Sequence, residues 1–200
     1  MGYMKLKMNK LSKYVKNFLR TYKEDFLKSN KKDNYPFLSI DEKVVIYAYT
    51  SDKFDDLNET LRSSKGQNVN EFAKHLKQVL KKIQQNIQLY AEGNDFVYRG
   101  VFLTERELQV YRDGYEQRKF IVEYHFLSTS KIKNIANQWA KNTLFKIVPK
   151  KGCSVEEIAF HGLNDGQNER EVLFTCNTKF SVLEITKTSE NTYEIIMEEV

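Results

Sequence analysis

The chain has 200 residues, with 32 Lys and Arg against 27 Asp and Glu for a net charge of +5, and it is 40% hydrophobic and 13% aromatic. That apolar content supplies a core for one domain, or one domain with a small appended lobe, and excludes intrinsic disorder. Two cysteines, Cys153 and Cys176, are too few for a disulfide scaffold and lack metal-knuckle spacing, so they read as small core residues in a reducing compartment.

The charge is not spread evenly. Residues 1–33 carry ten Lys and Arg against three Asp and Glu, a local +7, which leaves −2 for the remainder. A broadly basic, nucleic-acid-binding body is therefore disfavoured. Within this stretch Met4, Met8, Leu11, Val15, Phe18, Leu19, Tyr22 and Phe26 recur at helical spacing with lysines between them. The pattern predicts a basic amphipathic arm over 1–35, either packed on the body with its charged face in water or docking to an acidic partner or membrane surface. The N-terminus lacks the apolar stretch of a secretory signal, and no run approaches the roughly 18 apolar residues of a membrane span. A soluble protein is expected, one that needs dedicated machinery if it leaves its cell.

After Pro36, Ser39 and Glu42 form a capping-box pattern that predicts a helix through Tyr49; a short helix over Lys53 to Arg62 follows. Asn70 caps a long helix with Phe72, Leu76, Leu80, Ile83, Ile87 and Tyr90 inward, ended by Gly93. From residue 94 the texture changes to β-branched and aromatic runs: Phe96–Leu103, Phe120–Leu127, Leu144–Val148, Val155–Phe160, Val172–Cys176, Phe180–Thr186 and Tyr193–Glu199. Helices over Thr104–Arg112 and Ile132–Lys141 interrupt them. Helices first and strands after define an α+β unit over 36–200, with a helical lobe at 36–93 and a β-rich core at 94–200.

Three sites carry candidate chemistry. Arg99 lies inside an apolar strand, where a guanidinium needs either an ion pair or an anion such as a phosphate, and Gly100 beside it leaves room for a ligand to approach the backbone. Ser128, Thr129 and Ser130 close a second strand, either as caps for the next helix or as site hydroxyls. Glu169 and Glu171 enter a late strand at i and i+2, which aims both carboxylates one way while Arg170 points away. Such a pair is either a solvated strand face or two acids dividing labour, one facing a developing positive charge and one orienting a nucleophile.

The order Arg, Ser-Thr-Ser, Glu-x-Glu resembles the Arg-Ser-Glu class of mono-ADP-ribosyltransferases, in particular the exoenzyme group that includes the clostridial actin-modifying binary toxins. The likeness spans Ser39 to the C-terminus and includes Tyr49 and Thr50, Leu57 and Asn58, Val148 and Pro149, and Glu171 to Phe174. It implies two roughly perpendicular, mostly antiparallel β-sheets forming an NAD cleft, with NAD as co-substrate and no metal. By resemblance Arg99 meets the diphosphate, Ser128 orients Glu171, Thr129 and Ser130 support the strand end, and Glu171 stabilises the ribosyl cation as nicotinamide departs. Glu169 would align the nucleophile, and family members with Glu at this position are generally arginine-directed. Tyr49, Phe54 and Asn58 match positions with which the helical lobe closes over NAD. Trp139 matches an aromatic beside the nicotinamide, the alternative being a core anchor.

The resemblance implies a bacterial toxin, effector or phage enzyme acting on a protein arginine, with actin among the targets implied. The loop from Gly162 to Asn168 has no aromatic where many relatives place a target-gripping ring. The alternatives are an NAD glycohydrolase, a nucleic-acid acceptor, or a non-catalytic basic binding protein. His75, His125 and His161 receive no role.

Overall fold

The computed structural model describes residues 13–51, 55–86, 96–162 and 168–200. Two capping boxes open helices where their sequence patterns stand. Glu42 N donates to the Ser39 hydroxyl and Ser39 N to the Glu42 carboxylate at 2.7 Å, starting α3 (Ile40–Tyr49). Thr104 and Glu107 exchange the same bonds at the head of α6 (Glu105–Glu116). Asn70 Oδ1 accepts from Ala73 N at 2.8 Å ahead of α5 (Glu71–Asn86), which buries Phe72, Leu76, Leu80 and Ile83. Ile87, Tyr90 and Gly93, expected to continue and end that helix, lie outside the described residues.

The described part of the basic arm forms α1 (Lys13–Phe18) and α2 (Arg20–Lys28). Val15, Leu19 and Phe26 enter the same core as Val45, Ile46 and Tyr49 of α3, Leu61 of α4 (Asp55–Ser63) and Leu76 of α5, while Lys16, Arg20 and Lys28 stay exposed. Phe26 is fully buried, so its truncation to Ala would cost about 3–5 kcal/mol. Residues 13–28 are thus a packed helical layer with a solvated basic face; residues 1–12 lie outside the described residues.

The strands are β1 (Val97–Val101), β2 (Ile121–Glu123), β3 (Leu127–Ser130), β4 (Thr143–Val148), β5 (Cys153–Ser154), β6 (Glu171–Phe174), β7 (Thr178–Ser189) and β8 (Thr192–Glu199), with α7 (Lys133–Trp139) between β3 and β4. Their order is β2-β7-β8-β4-β1-β3-β6-β5, antiparallel except for the parallel β4 and β8 pair. Hydrogen bonding runs through all eight, so it does not separate the two sheets that the resemblance implies. The join between β1 and β3 is nevertheless a single pair, Tyr98 with Ser130. A second core, with Val97, Leu108, Phe145, Ile147, Phe174, Phe180 and Met197, lies under α6.

Two expected strands are corrected. Phe120–Leu127 is not continuous, because Phe126 N donates to Asn58 Oδ1 and Phe126 O accepts from Tyr49 OH instead of pairing with a strand. The chain therefore bends between β2 and β3. Val155–Phe160 is a turn closed by Ile158 N and Ala159 N donating to Val155 O. Its Val155, Ile158 and Ala159 are buried, which explains the apolar run that resembled a strand.

Candidate active site

The single-pair join of β1 and β3 is where the candidate residues meet. A cavity of about 390 Å³ opens there, lined by Tyr49, Asn58, Arg99, Gly100, Ser128 to Ser130, Trp139, Glu169 and Glu171. In the antiparallel β3 and β6 pair Ser130 stands opposite Glu171 and Ser128 opposite Leu173. Alternate residues share a face, so Ser128 is the diagonal neighbour of Glu171, within side-chain reach. The Ser128 hydroxyl donates to Glu171 Oε1 at 2.5 Å.

The other two hydroxyls hold backbone. Thr129 Oγ1 donates to Val172 O at 2.8 Å, locking β3 to β6. Ser130 Oγ donates to Glu169 O at 2.6 Å and accepts from Ile132 N. Ser130 is thus not simply a helix cap: it ties down the main chain of the first glutamate.

Glu169 and Glu171 do share the cavity, but strand alternation is not the reason. Arg170 has φ 45°, a left-handed conformation that costs roughly 1–2 kcal/mol for a non-glycine residue. The chain turns at Arg170 and β6 begins only at Glu171. Arg170 N bonds to Asn168 Oδ1, and Lys131 N donates to Arg170 O.

The two carboxyls have unlike surroundings. Glu171 is 5% exposed. Burial pushes its carboxyl up to about 8; the neighbouring Glu169 charge adds to this, while the Ser128 hydroxyl and Arg99 oppose it. Glu169 is only half-buried, and desolvation raises it too, against the pull of His161.

Arg99 Nη1 donates to the Ser128 carbonyl oxygen at 2.7 Å. Among the described residues no carboxylate stands in ion-pair contact with this partly buried guanidinium. Arg99 lines the cavity, and a guanidinium there without a carboxylate partner suits an anion such as a diphosphate. Burial lowers its pKa, yet a guanidinium stays charged.

Other expectations are adjusted. Tyr49 and Asn58 line the cavity, but both also clamp the bend before β3: Asn58 Nδ2 donates to Tyr49 Oη at 3.1 Å, and each bonds Phe126 as described. Phe54 lies outside the described residues. Gly100 lines the cavity, and helix packing also requires a glycine there. A Cβ there would lie 2.1 Å from Ala136 O and 2.2 Å from Ala140 N, so the α7 backbone occupies the space. Trp139, 65% exposed at the end of α7, is a cavity rim and not a core anchor.

Sequence reasoning missed a neighbouring polar cluster. On the far side of Arg99 a cavity of about 740 Å³ is lined by Arg62, Tyr111, Glu123 and His125 among others. The Tyr111 hydroxyl donates to Glu123 Oε1 at 2.5 Å, and Glu123 Oε2 lies 3.4 Å from His125 Nδ1. Burial pushes His125 down to about 3, with Arg99 and Arg62 adding to it, so the ring is neutral. The available signal was Glu123 itself, an acid inside an apolar strand run like Arg99. Among the described residues no group of three His, Cys, Asp or Glu side chains is placed to hold a metal, and no helix is long and apolar enough to cross a membrane.

An Arg and a Ser on neighbouring strands with paired Glu at the head of a third, and no glycine-rich nucleotide loop, define a class. The chain belongs to the ADP-ribosyltransferase exoenzyme family, whose model matches residues 8–200. It is a mono-ADP-ribosyltransferase, and NAD is its co-substrate.

A named relative is the putative NAD(+)–arginine ADP-ribosyltransferase Vis of Vibrio splendidus, 24% identical over 183 residues, covering 85% of this chain and 70% of that protein. Among solved structures, HopU1 of Pseudomonas syringae pv. tomato matches with TM-score 0.74 at 16% identity, over 91% of this chain and 87% of its own. Exoenzyme S of Pseudomonas aeruginosa, solved with human 14-3-3 protein beta and carba-NAD, matches at 0.64 and 19%, over 92% and 89%. Vis in complex with agmatine matches at 0.62 and 19%, over 97% and 88%.

Proposed function

We propose that the protein transfers ADP-ribose to an arginine side chain of a target protein, with Arg99, Ser128, Glu169 and Glu171 as the residues that carry the reaction. The observation behind this reading is the pair of glutamates in one cavity with different burial, one gripped by Ser128 and one free to face an incoming group. NAD supplies the ADP-ribosyl group and a leaving nicotinamide, which takes the electron pair of the broken C–N bond. The Arg99 guanidinium binds the diphosphate. Ionised Glu171, aimed by Ser128, faces the positive charge that develops on the ribose, an effect worth about 3–4 kcal/mol on the scale of single electrostatic deletions. Glu169 accepts a proton from the acceptor guanidinium as its nitrogen bonds the ribose carbon. A guanidinium with pKa above about 12 is a poor nucleophile until a carboxylate engages its N–H groups, which favours a second acid here. The agmatine complex of Vis supports the same acceptor chemistry.

Tyr49 and Asn58 contribute to the NAD side through the bend they hold, and Trp139 covers the rim. A toxin or effector delivered by dedicated machinery fits this chemistry, and actin enters as a target only through the resemblance. The test is incubation with labelled NAD, with and without agmatine, following nicotinamide release and adduct formation together. Release that agmatine never diverts into an adduct would sink the arginine reading in favour of hydrolysis. Mass spectrometry of arginine adducts in cells expressing the protein then identifies the target.

A further inference from the structure

The turn over residues 154–161, read from sequence as a strand, is held by side chains more than a hundred positions earlier. Lys31 is 6% exposed, and its Nζ donates to Ala159 O at 2.6 Å and to Phe160 O at 2.7 Å. Asn34 Nδ2 donates to Glu157 O at 2.9 Å and Tyr35 OH to Ser154 O at 2.8 Å. Three donors from the end of the arm thus take four carbonyls of one turn. On the opposite side Phe160 N donates to Thr50 Oγ1, which lines the cavity.

The same turn grips the segment that carries Glu169. His161 O, next after the two carbonyls held by Lys31, accepts from Glu169 N at 3.0 Å. Glu156 reaches both flanks of Glu169: its Oε1 accepts from Asn168 Nδ2 at 3.2 Å and lies 3.9 Å from Arg170 Nε, while its Oε2 pairs with Lys131 at 3.2 Å. Gly162 lets the chain double back, since a Cβ there would lie 2.1 Å from Glu156 O. Glu171, by contrast, is held from β3 by strand pairing and by Ser128.

We propose that Lys31 is a positioning residue for Glu169, so that the end of the basic arm sets how NAD is partitioned between transfer to an acceptor and loss to water. This rests on the acceptor role given to Glu169 above. A charged donor shared by two adjacent carbonyls fixes their direction more firmly than neutral bonds do. The next carbonyl then places the Glu169 main chain. Misplacing a reacting group by about 1 Å costs up to about a hundredfold in rate, and here the loss falls on the acceptor half alone.

The test uses the full chain, as wild type, Lys31→Met and Glu156→Gln, with labelled NAD in the presence and absence of agmatine. For both variants we expect agmatine adduct formation to fall about tenfold or more relative to hydrolysis, with KM for NAD within about twofold of wild type. An unchanged ratio, or transfer and hydrolysis falling together in step with Tm, overturns the proposal. Should Lys31→Met fail to fold, Glu156→Gln carries the same test from the other end of the turn. Wild-type protein that cleaves NAD without forming an adduct removes the acceptor reading, and this proposal with it; wild-type transfer with an unaltered ratio in the variants removes this proposal only.

Discussion

The two halves of the cavity are built by different means. The half carrying Arg99, Ser128 and Glu171 stands on β1, β3 and β6, where register alone decides which side chains face the cavity. The half carrying Glu169 stands on a turn with a left-handed residue, held by a hydrogen bond donated by Ser130, by bonds accepted by His161 O and Glu156 and, further out, by Lys31. On the proposed mechanism, strand pairing suits Glu171, which would face a transient charge at fixed distance. A clamped turn suits Glu169, which would meet the acceptor, because its geometry is set by side chains that can change without disturbing the sheet.

The sharpest way to test that division is Glu171→Gln. Removing the buried charge should lower both NAD hydrolysis and agmatine transfer by about 10²–10³-fold, measured as kcat for each; retention of full NAD cleavage would show the mechanism to be wrong. Glu169→Gln should split the halves, with transfer down about a hundredfold and hydrolysis within several fold of wild type. Parallel loss of both would mean that the two glutamates act as one unit.

The pH profile gives a third measure. With its carboxyl pushed up to about 8, Glu171 is protonated in much of the free enzyme at neutral pH, and the proposed mechanism uses the ionised form. The kcat/KM for NAD should therefore climb about tenfold per pH unit below 8 and level off above it. Stability runs the other way. A carboxyl raised in the folded state disfavours folding increasingly as pH rises from the unfolded value to about 8. Glu171→Gln should thus be more stable than wild type above pH 8 by thermal unfolding, an instance of stability given up for activity. Equal Tm values there would mean that the carboxyl is not desolvated. The smallest effect is expected at the rim: Trp139→Ala should raise KM for NAD by about three- to tenfold with little change in kcat, the range of a single stacking contact. An unchanged KM would leave Trp139 outside the NAD half.

Much of this was legible along the chain because it was local. Ser39 with Glu42, Thr104 with Glu107, and Asn70 announce helices through bonds made within three residues, and the structure contains all of them. The order of Arg99, Ser128 and Glu171 along the chain was also visible, and strand pairing then brings them together. What was hidden depended on distant partners. Val155 to Phe160 has a strand's apolar texture, yet its carbonyls are taken by Lys31 and Asn34, so it turns. Glu169 and Arg170 look like alternating strand residues until the positive φ of Arg170 is seen. The need for Gly100 follows from where α7 lies, which no local pattern encodes. Glu123 and His125 were visible as letters but acquired meaning only beside Arg62 and Tyr111.

The position of β8 bears on how far a distant change can be felt. This strand, residues Thr192–Glu199, lies between β7 and β4 in the middle of the order, and β4 in turn supports β1 and Arg99. Without β8, β4 would be a bare edge with half of its ladder unpaired. Pairing of this kind joins segments far apart along the chain, so it forms slowly and is lost as a unit. A substitution that loosens β8 would therefore reach Arg99 by way of β4 and β1, although no residue of β8 lines the cavity.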